Sequence, residues 1–68
     1  MRHSKYKDYR GCLYRVAYFM QPKPGWRTVE NGQKFHSRFL PIRNTFEAAQ
    51  ADLTAFARRK GWTVCYDN

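Results

Sequence analysis

Sixty-eight residues make one small domain with room for a single modest core, because a chain of this size buries only about 60% of the surface it exposes when unfolded. Thirteen Lys and Arg against five acidic residues give a formal charge of +8, a balance that favours an acidic partner such as nucleic acid, an anionic membrane surface or an acidic protein. The first ten residues, MRHSKYKDYR, have no apolar core of the kind a signal peptide needs, and no run approaches a membrane span, so a cytoplasmic protein is expected.

Residues 1–11 read as a flexible basic arm, with Arg2, Lys5, Lys7 and Arg10 broken by Tyr6 and Tyr9. Residues 12–68 read as a single α+β domain. Its first strand is CLYRVAYFM, residues 12–20, rich in residues that suit a pleated surface. Tyr14, Val16 and Tyr18 are expected to face the core, which leaves Arg15 on the opposite side; two largely apolar faces suit a central place in the sheet. The segment QPKPG that follows must be a loop.

Residues 26–41, WRTVENGQKFHSRFLP, carry the sharpest local signal. Asn31-Gly32 suits a type I′ turn, whose two central residues need φ > 0, and predicts a two-residue hairpin. Glu30 then faces Gln33, Val29 faces Lys34, Thr28 faces Phe35, Arg27 faces His36 and Trp26 faces Ser37. Alternation gives the hairpin two unlike faces: Trp26, Thr28, Phe35 and Phe39 on one, and Arg27, Lys34, His36 and Arg38 on the other, with Val29 and Leu40 as its apolar members. Pro41 closes the third strand.

Asn44 followed by Glu47 reads as a variant capping box opening a helix, TFEAAQADLTAFARRK, that runs to Gly61. Phe46, Ala49, Leu53, Phe56 and Ala57 form its apolar stripe, and Arg58, Arg59 and Lys60 complement the negative end of the helix dipole. A short fourth strand is expected over residues 61–66, parallel to the first and beside it. The expected fold is a three- to four-stranded, mainly antiparallel sheet with one helix on one face, in the order β-β-β-α-β. Cys12 and Cys65 would lie too far apart to bridge, and two cysteines are too few for a secreted disulfide framework.

Catalysis is not expected. Asp8, Glu30, Glu47, Asp52 and Asp67 form no pair spaced for acid/base work, and the glycines are scattered turn residues. Cys12, Cys65, His3 and His36 lack the short spacing of zinc ligands, so neither a metal nor a cofactor is expected. The stronger lead is the cationic hairpin face. Arg27, Lys34, His36 and Arg38, joined by Arg15, are the expected nucleic-acid contacts, through phosphate or through base edges in the major groove of DNA. A duplex RNA hides its major groove, which favours DNA. The plainer reading is a solvated sheet face; the alternative function is a protein-interaction module, an inhibitor or adaptor, working as a monomer or homodimer.

The path from WRTVENGQKFHSRF into TFEAAQADLTAFARRKG resembles the sheet-plus-helix DNA-binding domains of the AP2 type and of the arm-binding N-termini of phage tyrosine integrases. The likeness covers residues 12–61. It implies a sheet face that reads DNA through Arg15, Arg27, Lys34, His36 and Arg38, with the helix packed behind. In size and charge the chain is also similar to small accessory proteins of phages and prophages.

Overall fold

The structure is a computed structural model that describes residues 4–66. It is an α+β fold of five strands and one helix: β1 Ser4–Lys7, β2 Leu13–Phe19, β3 Gly25–Glu30, β4 Gln33–Lys34, α1 Phe46–Lys60 and β5 Thr63–Tyr66. The strands form one sheet in the order β4-β3-β2-β1-β5, every neighbouring pair antiparallel. β2 is the middle strand, as its two apolar faces suggest.

The helix forms where its stripe predicts and ends as expected, with Gly61 in the left-handed region at φ 75. Its start is one residue later than the capping-box reading. Thr45, not Asn44, is the N-cap, its hydroxyl accepting from the Ala48 amide at 3.2 Å, a role Thr fills nearly as well as Asn does. Ala49, Leu53, Phe56 and Ala57 are buried against Tyr6, Tyr14, Val16 and Leu40, with Trp26, Phe35, Phe46 and Trp62 packed around them. Trp62 stacks on Tyr14 at 4.0 Å between centroids, and Phe56 meets the Trp62 edge at 5.3 Å.

The arm expected over residues 1–11 is sheet at its centre: residues 4–7 are β1, hydrogen-bonded to β2 on one side and β5 on the other. Tyr6 secures it, buried in the core with its hydroxyl donating to Thr54 on the helix at 3.1 Å. Residues 1–3 of that arm lie outside the described residues. The last strand therefore pairs antiparallel with β1; it keeps the expected parallel sense to β2, but β1 lies between them. Cys12 and Cys65 are both free thiols, Cys12 packed towards the core and Cys65 on the opposite face by its pairing with Lys5.

The hairpin keeps its predicted turn and loses its second arm. Asn31 has φ 49 and Gly32 φ 85, and Glu30 and Val29 pair with Gln33 and Lys34 as the turn requires. Phe35 still donates its amide to the Thr28 carbonyl at 3.2 Å, but the ladder stops there. Trp26 exchanges both backbone hydrogen bonds, each 2.8 Å, with Arg43 instead of meeting Ser37. Gly25 permits that approach. A Cβ at its φ of 155 would collide with the Ile42 side chain and crowd the Arg43 carbonyl at 3.0 Å. The chain between turns away at Ser37, whose carbonyl accepts from the Leu40 amide at 3.1 Å. Pro41 thus lies in a connection to the helix, not at a strand end.

Candidate nucleic-acid interface

Pairing assigns each strand residue to a face. Tyr6, Tyr14, Val16 and Thr28 face α1. Their neighbours along each strand face away, which puts Lys5, Lys7, Arg15, Arg27 and Lys34 together on the outer face with Leu13, Ala17, Phe19, Val29, Thr63 and Cys65. None of the described acids lies there. Asp8 and Glu30 gather at the Tyr14 hydroxyl on the helix side, and Glu47 and Asp52 belong to the helix. Glu30 pairs directly with Tyr14, so one step along β3 separates an acidic side from a cationic one.

The five expected contacts are divided by this geometry. Arg15 is exposed in β2 directly opposite Val29, and Lys34 meets Val29 from the other side. Val29 is 1% exposed, a small apolar floor between two cations. Lys34 is held: its Nζ donates to the Gln21 carbonyl at 3.0 Å and lies 5.1 Å from the Phe19 ring centre. Arg27 is buried at 8% exposure and its Nη2 donates to His36 Nδ1 at 3.1 Å.

Arg38 does not join them. Its guanidinium lies 5.1 Å from the Phe39 ring, which Arg59 also approaches at 5.1 Å and which neighbours Phe56. The side chain is on the helix side because the chain leaves the sheet after Phe35, ending the alternation that would have turned it outward. Leu40 likewise is buried in the main core, not on the basic face. Lys5 and Lys7, which sequence analysis placed in a flexible arm, stand in β1 on this same face. A single apolar residue, Tyr6, in SKYK is too little periodicity to mark a strand, although the Lys-Tyr-Lys alternation is its trace.

A second polar cluster sits where β1 hands over to β2. Asp8 accepts from the amides of Arg10 (2.8 Å) and Cys12 (3.0 Å) and from the Arg10 guanidinium at 2.9 and 3.1 Å. The Tyr14 hydroxyl lies 3.0 Å from Asp8 and 2.7 Å from Glu30, while Arg10 also reaches Glu30 at 3.1 Å. Burial pushes the Asp8 carboxyl up, but the donors from Arg10, Cys12 and Tyr14 outweigh it and hold the group at about 2. Burial, then the bonds to Glu30 and Asp8, push the Tyr14 phenol above its ordinary range. Asp8, Cys12 and Glu30 bring ligand-type atoms within 4.8 Å of one another. Arg10 already supplies the positive charge a metal would bring, so the cluster is a structural lock.

The chain matches no protein-family model, no curated protein and no solved structure. Among the described residues no helix is long and apolar enough to cross a membrane.

Proposed function

We propose that this chain binds duplex nucleic acid, DNA in preference to RNA, through the outer face of its sheet, without catalysis. The observation that carries the reading is the segregation of charge: Lys7, Arg15, Arg27 and Lys34 share one face, and no described acid accompanies them. Solvated sheet faces ordinarily mix the two signs, whereas a surface of one sign attracts a polyanion.

Two features favour a grip on phosphates over readout of bases. Five strands at a spacing of about 4.8 Å span roughly 19 Å, wider than the ~12 Å major groove. The flat of the sheet therefore rests across the groove on its phosphate rims, which positions a protein without reading sequence. Among the described residues, exposed rings are also absent where they would be needed to stack bases. Tyr18 meets Trp26 on the helix side, Tyr9 lies in the turn before β2, Phe39 is beside the helix, and Phe19 on the outer face already carries Lys34. A single strand held by stacking fits this face poorly.

Filter binding with duplex DNA, single-stranded DNA and duplex RNA at two salt concentrations tests the proposal. Duplex DNA is expected to bind most tightly, and its affinity to fall steeply with salt as counterions are released. No retention of any nucleic acid at low salt would overturn it.

A protein-interaction role draws on a different region. A shallow groove of about 510 Å³ runs along α1 past Phe46, Glu47, Gln50, Thr54 and Arg58, on the helix and not on the outer face of the sheet. Retention of a defined protein with no retention of nucleic acid would favour it.

A further inference from the structure

One group on the outer face has hydrogen-bonding capacity that the fold leaves unused. Arg27 is more than nine-tenths buried, and its Nε is enclosed with no hydrogen-bond partner. A guanidinium cannot shed its charge to suit such a site, and an enclosed cation without a counter-charge is costly. Among the described residues its surroundings on this face offer no carboxylate: Ala17 is directly opposite, and Arg15 is paired with Val29, two positions along β3.

The acceptor it has is His36, at 3.1 Å from Nη2. Arg27 can only donate, so His36 must accept at Nδ1 and carry its proton on Nε2. One imidazole nitrogen satisfies a single prong of a fork shaped for two parallel bonds to an oxyanion. His36 is exposed and belongs to the connection after β4, so its ring can turn aside without disturbing a strand.

We propose that Arg27 is a seat for a single phosphate group and that His36 is its displaceable cap. On binding, the imidazole swings away and two phosphate oxygens accept from Nη2 and Nε. Arg15 and Lys34 then flank the seat as point charges. The inference deepens the nucleic-acid reading and rests on it for the source of the phosphate, a duplex backbone. Free phosphate tests the seat independently.

The experiment follows the Arg27 Nε–H resonance in uniformly ¹³C,¹⁵N-labelled protein, the peak being assigned in the wild type by through-bond correlation from the Arg27 backbone amide. Inorganic phosphate and a short DNA duplex are titrated separately against chloride of matched ionic strength. Movement with both, and not with chloride, is expected. Movement with phosphate alone keeps the seat and removes the nucleic-acid reading; a peak that neither moves overturns the seat. Arg27→Lys retains the charge and loses the fork, so duplex affinity should drop about tenfold with an unchanged salt slope. Equal affinity would count against the seat, and the wild-type titration decides the matter should that variant unfold. His36→Ala removes the competing cap and should bind phosphate more tightly. Weaker binding would show that the imidazole itself holds the anion and refute the capping role.

Discussion

Arg10 and Arg27 are the same side chain in opposite circumstances. The Arg10 side chain is 55% exposed yet meets Asp8, Tyr14 and Glu30; Arg27 is far more deeply enclosed and meets one neutral imidazole. Exposure alone would name Arg10 as the group poised for a partner. Saturation says the reverse. Where carboxylates have been brought to a cation, the fold has used it to join β1, β2 and β3, and at Arg27, where no described carboxylate reaches it, Nε is left without a hydrogen-bond partner. The same contrast separates the two faces of the sheet, with acids, aromatic rings and helix on one and lysine and arginine without described acids on the other.

The comparison breaks first if the helix side is not the one that holds the fold. Phe56→Ala is expected to cost about 3–5 kcal/mol, close to the whole stability of so small a domain, and an unchanged thermal melt would refute the core assignment. Tyr14→Phe keeps the ring on Trp62 and removes the hydroxyl at the centre of the Arg10 cluster, a loss of about 0.5–1.5 kcal/mol. Because the Tyr14 phenol is raised in the folded state, its contribution is complete below pH ~10 and is lost as pH rises beyond it. Alkaline melts should therefore be less steep in the variant. Asp8 behaves in the opposite sense. Its carboxyl is depressed to about 2, so its stabilisation is complete above pH ~4 and is lost as pH falls towards that value. Asp8→Asn should abolish that acid limb.

On the other face the expected effects are on binding and not on folding. Alanine at Lys7, Arg15 and Lys34 together should leave the melt nearly unchanged and reduce the log–log salt slope for duplex DNA by about 0.9 for each phosphate no longer neutralised. An unchanged slope in folded protein would remove the interface. Arg38→Ala, on the helix side, should leave duplex affinity unchanged; a decrease equal to that of Arg15→Ala would mean that the two faces do not divide the labour as their charges suggest.

Much of this division is legible in the residues themselves. Asn31-Gly32 sets the register of β3 and β4, and the stripe from Phe46 to Ala57 sets the buried side of the helix, because turn chemistry and helical periodicity act over a few neighbours. What cannot be read there depends on distant partners. FHSRFL alternates as a strand should, yet it leaves the sheet because Arg43 takes the backbone of Trp26 over a glycine with no Cβ to prevent it. Arg38 stands on the helix side, against the alternation, for that reason. SKYK has almost no pattern of its own and becomes a strand because β2 and β5 supply partners on both sides, which is how Lys5 and Lys7 come to stand with Arg15.

The position of β1 has a kinetic consequence. Its ladder to β5 joins Ser4 to Tyr66 and Lys7 to Thr63, positions near opposite ends of the chain, so this seam forms only after a long loop has closed. The β2–β3 hairpin and α1 can assemble from local contacts first, with β1 docking on the free edge of β2 and β5 arriving last. Amide exchange in β5 should then be the fastest of the longer strands, and substitutions such as Val64→Ala should speed unfolding while leaving the refolding rate almost untouched.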